Sequence, residues 1–112
     1  MTEIGFDDFL KVDVRVGRVA RAEEFPKARK PSFKLWIDFG PEVGEKKTAA
    51  QLTRHYSLED LPGKLVVAVV NFPARQIADF MSEVLVLGVP DPDGEVVLLE
   101  PGQDVPLGGR MF

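Results

Sequence analysis

Phe33-Lys34-Leu35-Trp36-Ile37-Asp38-Phe39 decides the fold class of this chain. Phe33, Leu35, Ile37 and Phe39 face one way while Lys34, Trp36 and Asp38 face the other, the period of two that marks a strand with one face in a core. Working back toward the N-terminus, Val12, Val14 and Val16 alternate with Asp13 and Arg15 in the same way. After Gly17 the phase changes, because Val19 and Ala22 leave the even series. A bulge or sharp bend is therefore expected at Gly17, the device by which one strand serves two faces of a small barrel. Between the two strands, Phe25-Pro26-Lys27-Ala28-Arg29-Lys30-Pro31 reads as an exposed loop, since its two prolines cannot join a regular ladder.

Downstream, Pro41 and Gly44 punctuate a turn into a third strand, Lys46 to Leu52. Ser57-Leu58-Glu59-Asp60-Leu61 predicts a short helix, with Ser57 as N-cap, acids in the first turn and Pro62-Gly63 ending it. Leu65 to Val70 reads as a buried central strand. Pro73 to Met81 reads as a loop with a helical turn, and Val84 to Val89 as another buried strand. Asp91-Pro92-Asp93-Gly94 predicts a turn into Val96–Leu99, and the tail with Pro101, Gly102, Pro106, Gly108 and Gly109 reads as irregular. The expectation is an all-β chain with short helices. Its order of three strands, a helix and two strands is that of the five-stranded oligonucleotide/oligosaccharide-binding (OB) barrel. No repeat or linker divides it, so one domain is expected across residues 1–112.

Composition bounds the chemistry. A domain of 112 residues buries roughly two-thirds of its unfolded surface and can hold a core without staples. At 45% hydrophobic and 29% charged, the chain reads as folded and soluble. The absence of cysteine excludes disulfides, thiolate metal sites and cysteine nucleophiles, and fits a reducing compartment. A lone histidine, His55, excludes a multi-histidine metal site, so neither metal nor cofactor is expected. No apolar run approaches the ~18 residues of a membrane span. The start, Met1-Thr2-Glu3-Ile4, lacks the order of a signal peptide, so a cytoplasmic protein without membrane insertion is expected. Charge is uneven: residues 1–40 carry eight Lys/Arg against seven Asp/Glu, and residues 81–112 carry one against six. Positive potential is thus confined to the neighbourhood of Lys27, Arg29, Lys30 and Lys34.

Four blocks carry a resemblance: Asp8-Phe9-Leu10-Lys11-Val12-Asp13-Val14-Arg15-Val16-Gly17, the loop Phe25 to Pro31, Val69-Val70-Asn71-Phe72-Pro73-Ala74-Arg75-Gln76-Ile77, and Met81-Ser82-Glu83-Val84-Leu85-Val86-Leu87-Gly88. In this order they resemble the CsaA family of export-related chaperones, part of the wider group of tRNA-binding OB domains. The resemblance implies a homodimer that binds unfolded secretory precursor proteins and cooperates with the SecA translocation ATPase. The wider group implies tRNA as an alternative partner. Where RNA-binding relatives carry Ser-x-Gly-Met, this chain has Ser82-Glu83-Val84-Leu85, which places a carboxylate near the expected path of an RNA backbone.

Candidate site residues follow from residue type and placement. Trp36, Phe72, Arg75, Ile77, Phe80 and Met81 combine aromatic, flexible and cationic groups suited to apolar peptide segments. For RNA the candidates are Lys27, Arg29, Lys30, Lys34, Arg54, Asn71, Arg75 and Ser82, which supply cations or hydrogen-bonding groups at loop ends. The structural alternatives are an Arg75–Glu83 pair, with Asn71 and Ser82 satisfying loop backbone, and Trp36 serving as packing. Ile4, Phe6, Phe9, Leu10, Leu107, Met111 and Phe112 crowd large apolar groups at both ends, where a twofold interface would cover them. Asp7/Asp8 and Asp91/Asp93 read as cap and turn chemistry, and no nucleophile–base pair or phosphate loop appears, so no enzyme activity is expected.

Overall fold

A computed structural model describes residues 1–112. A five-residue helix α1 (Phe6–Leu10) precedes the long strand β1 (Val14–Glu24), followed by β2 (Phe33–Asp38), the single turn α2 (Gly40–Val43) and β3 (Glu45–Ala50). Then come β4 (Leu65–Val69), a hairpin of β5 (Arg75–Ile77) and β6 (Phe80–Ser82), the short β7 (Leu85–Val86), and a second hairpin of β8 (Gly88–Pro90) and β9 (Val96–Leu98). The main sheet is antiparallel with the order β3-β2-β1-β4-β7. It curls until β3 approaches the segment before β7, giving the nearly closed OB-like barrel expected from the sequence.

The alternation in β2 places Leu35, Ile37 and Phe39 fully inside, against Val19, Leu52, Leu61, Val66, Ala68, Val84 and Leu98. β1 serves two partners. Its first half pairs with β4, from Val14 opposite Val69 to Arg18 opposite Leu65, and its second half pairs with β2. The bulge sits at Ala20 rather than Gly17: Val19 faces Ile37 and Arg21 faces Trp36, with Ala20 left over. Gly17 has a different task. A Cβ there would stand 2.5 Å from Ile37 Cγ2 and 2.8 Å from the Phe39 ring, so the glycine lets strand and core meet at backbone distance.

Three other expectations change. Ser57–Leu61 forms turns, not a helix. The Ser57 hydroxyl and carbonyl both accept from the Asp60 N–H at 3.2 Å, but Pro62-Gly63 stops the chain after one turn and Leu61 is drawn wholly into the core. The barrel helix is thus absent after β3, and a single turn stands before β3 instead. Pro73 to Met81 is a β-hairpin whose two-residue turn is Ala78-Asp79; Ala78 sits at φ 52°, without the Asn-Gly signal that would have revealed it. Val84 to Val89 is not one buried strand. It switches partner at Leu87, from Val67 in β4 to Leu99 after β9, and leaves Leu85 and Val89 about half exposed.

The expected Asp91–Gly94 turn forms. The Asp91 carboxylate accepts from the Asp93 and Glu95 N–H groups at 2.8 and 2.9 Å. The tail lies along β1, where the Val16 N–H donates to the Gly109 carbonyl and the Met111 N–H to the Val14 carbonyl. Gly108, at φ 85°, allows this approach: a Cβ would stand 2.6 Å from the Phe39 carbonyl oxygen.

Candidate functional site

One groove dominates the surface, with a volume of about 1360 Å3. Its walls are the loop between β1 and β2, the end of β3 with Gln51 and Leu52, and the β5–β6 hairpin with the chain that follows it. Phe72, Ile77, Val86 and Val96 give it an apolar lining, and Arg29, Lys30 and Arg75 supply cations. None of these three cations is in an ion pair within the chain. Phe72 is about half exposed, so its ring is available to a ligand. Met81 is also partly exposed but lies outside the groove lining.

The groove exists because the barrel is only partly zipped. At one end of the seam, the Glu83 N–H donates to the Lys47 carbonyl at 2.8 Å and the Lys47 N–H donates to the Glu83 carboxylate at 3.0 Å. Beside it, buried Thr48 donates to the Val84 carbonyl at 2.8 Å, and its hydroxyl lies 2.9 Å from that of Ser82, which accepts from the Ala49 N–H. Past Ala49 the two sides diverge, and β3 and β7 are the two unpaired ends of the sheet. Glu83 therefore closes the barrel instead of pairing with Arg75, and Ser82 satisfies β3. Thr48 and Lys47 were not candidates at the level of sequence. Nothing in a Lys-Lys-Thr-Ala-Ala run announces that its free edge will be latched by residues 36 positions later.

Outside the barrel, cations and rings interleave. The bulge sets Arg21 across from Trp36, and its guanidinium lies 3.9 Å from the Trp36 ring centroid. Trp36 meets Phe80 edge-on with centroids 5.9 Å apart, and Phe80 meets Phe25 at 5.5 Å. The ammonium groups of Lys34 and Lys47 each stand 5.1 Å from the Phe80 ring, within cation–π range. Trp36 thus points outward as its register requires, yet it is half-buried under Arg21 and Phe80. Phe80 itself is buried at 6% exposure and anchors the hairpin, so its ring does not reach the groove.

The remaining candidates divide between free and engaged. Lys27 leaves the basic cluster for Asp79, 2.8 Å away; their mutual hydrogen bond holds the Asp79 carboxyl below its usual range and pushes the Lys27 ammonium up. Asn71 accepts from the Asp13 N–H at 3.0 Å and donates to the Lys11 carbonyl at 2.8 Å, so its amide clips the start of β1. Arg54 is exposed and is not part of the groove lining. His55 Nε2 lies 2.7 Å from the Asp91 carboxylate, which hydrogen bonds from the Glu95 backbone and then from His55 hold below the ordinary carboxyl range.

At the termini, Ile4, Phe6, Leu10, Met111 and Phe112 are all substantially exposed. Phe6 and Phe9 stack at 5.9 Å, and Leu107 is half-buried against the Phe39–Gly40 bend. Val66 and Ala68 face the core, so the partly buried Val67 and Val16 and the half-exposed Leu85 leave apolar surface on the outer face, where Val14 and Val69 are already covered within the chain. The tail reaches the same face, since Met111 sits opposite Val14.

This geometry has relatives. Residues 14–110 match the family described as "Putative tRNA binding domain". The chain belongs to the tRNA-binding domain family. Within it, the chain is similar to the crystal structure of the chaperone CsaA from Bacillus anthracis, with 50% identity, a TM-score of 0.93, and 99% of this chain and 100% of that one covered. The CsaA chaperone from Picrophilus torridus follows at 45% identity and a TM-score of 0.91, covering 98% and 100%. Among family members joined to larger proteins, a methionine–tRNA ligase of Pelodictyon phaeoclathratiforme is 42% identical over 103 residues, and one from Porphyromonas gingivalis is 36% identical over 109. These alignments cover 91% and 97% of this chain but only 14% and 16% of the ligases, so the chain spans about a sixth of their length. No helix in the structure is long and apolar enough to cross a membrane.

Proposed function

We propose that this chain is a non-catalytic, ATP-independent chaperone that holds unfolded secretory precursors as a homodimer in the cytoplasm, ahead of their transfer to the SecA ATPase. The observation that carries this reading is the groove: Phe72, Ile77 and Val86 offer apolar surface beside the unpaired Arg29, Lys30 and Arg75. Aromatic and aliphatic surface accepts unrelated apolar segments, and exposed cations steer them. Full-length similarity to two CsaA chaperones supports it. The domain of residues 1–112 would pair through Ile4, Phe6, Phe9, Leu10, Leu107, Met111 and Phe112, covering the outer apolar surface and presenting two grooves per particle. The decisive assay is aggregation of an unfolded precursor on dilution. The wild type should suppress it, while Phe72→Ala and Arg75→Ala should each weaken suppression. A wild type without effect ends the reading. Light scattering should give twice the chain mass, and Phe6→Asp should give the single chain.

A second reading is binding of tRNA, favoured by the family match and by the ligase relatives. Arg29, Lys30 and Arg75 in the groove, with Lys27, Lys34 and Arg54 outside its lining, would contact phosphates. Electrophoretic shift of total tRNA should then weaken steeply with added salt, because each phosphate contact releases counterions. No shift at low salt removes this reading.

A further inference from the structure

We infer that the unlatched half of the barrel seam binds its ligand as an added β-strand: an extended, apolar segment flanked by acidic residues, laid along the free edge of β3. The inference rests on the chaperone reading and specifies how that groove holds a client.

The starting point is the sheet itself. β3 and β7 end the five-stranded order without pairing with each other, although both border the groove. Up to Ala49 the edge of β3 is occupied, by Glu83 at Lys47 and by Ser82 at Ala49. Beyond it, both the N–H and the carbonyl of Gln51 lack any partner within the chain. The Ala49 carbonyl receives only a long 3.4 Å contact from Thr48. Phe33, Leu35 and Ile37 of β2 take Ala50, Thr48 and Lys46, which leaves the Ala49 carbonyl on the open side; β3 ends at Ala50, where the Leu52 N–H donates to the Ala50 carbonyl at 3.0 Å and turns the chain at Gln51. The Ala49 carbonyl and the Gln51 N–H at the end of this edge are the groups on which one more strand can start.

The surroundings select the occupant. At about 1360 Å3 the groove exceeds the ~300–1,000 Å3 typical of small-molecule sites. Apolar groups line it, and alternate side chains of an added strand would reach them. Arg29, Lys30 and Arg75 stand around it without ion partners, which favours carboxylates at the ends of the segment. A backbone-directed site accepts many sequences, since the ladder bonds are common to all of them, so it fits a binder of unrelated clients.

The test uses the full chain and a fluorescent peptide of alternating valine and threonine with glutamates at both ends. N-methylation of alternate backbone amides gives two series, one silencing each edge of the peptide. Strand addition predicts that the series whose methyls face β3 loses about tenfold or more in affinity, while the other keeps it. Gln51→Pro, which removes the edge N–H, should weaken the unmodified peptide to a similar degree while leaving the unfolding midpoint near the wild-type value. If both methylated series and Gln51→Pro bind as well as the parent pair, the strand mode is overturned, while suppression of precursor aggregation leaves the chaperone reading standing. If the peptide does not bind at all, the strand mode also falls. If Gln51→Pro weakens binding of total tRNA but not of the peptide, the groove belongs to RNA and the strand mode is overturned too.

Discussion

The Lys27 ammonium and the Asp79 carboxylate meet at 2.8 Å, tying the β1–β2 loop to the turn of the β5–β6 hairpin. Both segments contribute to the groove lining next to this pair, which ties two parts of its wall together. Hydrogen bonding to Lys27 holds the Asp79 carboxyl below its usual value. Its contribution is therefore complete above the ordinary carboxylate pKa of ~3.9 and disappears as pH falls through the lower folded value. Amide exchange in the hairpin should accelerate over that acidic window in the wild type. In Asp79→Asn it should be fast already at neutral pH, relative to wild type.

Asp13 invites a similar measurement at the other end of the molecule. Its carboxylate accepts from Arg15 Nε at 2.6 Å and lies 3.5 Å from Arg110 Nε, while Arg15 donates to the Gly108 carbonyl and Arg110 to the Leu10 carbonyl. The hydrogen bond from Arg15, with both guanidinium charges, keeps the Asp13 carboxyl below its usual range. Protonation in the acidic window below ~3.9 should release both arginines and fray the tail from β1. Limited proteolysis should show Asp13→Asn losing protection of residues 107–112 at neutral pH, with the barrel intact.

Gly17→Ala should destabilise the barrel by roughly 1–3 kcal/mol, because the new methyl lands among Ile37 and Phe39 in a filled core. Urea unfolding, at unchanged m-value, measures it. A neutral outcome would mean that the core yields more easily than its packing implies.

Glu83 separates a backbone role from a charge role. Glu83→Ala leaves the Lys47 N–H without its 3.0 Å partner and should cost about 1–3 kcal/mol, visible as a lower urea midpoint. Glu83→Gln keeps an acceptor there and should stay close to wild type. Removing the negative charge should also tighten any binding of tRNA at low salt, since the remaining charged residues of the groove lining, Arg29, Lys30 and Arg75, are cations.

Those two roles of Glu83 also measure how far the sequence could be read. Alternation in Phe33–Phe39 and the β-branched run from Leu65 identified the barrel, because burial imposes a period of two wherever one face meets the core. The groove cations Arg29, Lys30 and Arg75 were visible as charges on loops. What eluded the reading depended on partners distant in the chain. Asn71 and Ser82 suit binding or backbone satisfaction equally by type, and the structure selects the second, with bonds to Lys11 and Ala49, while Glu83 bonds Lys47 in place of Arg75. Phe80 and Met81 are adjacent, and only the register of a hairpin built on Ala78-Asp79 decides which goes inside. The apolar run Val84 to Val89 reads as one strand because its exposed members, Leu85 and Val89, are as apolar as the buried Val84.

The surplus residue in β1 has a consequence for how this shape is written. Ala20 is exposed and matches no position in β2, so removing it would leave every inward and outward assignment of the strand unchanged, Val19 still against Ile37 and Arg21 still against Trp36. Only the extra twist would go, and with it the turn that carries the strand from one neighbour to the other. Curvature is thus encoded by the number of residues and inside–outside identity by their type, and the two can change independently as such barrels diverge.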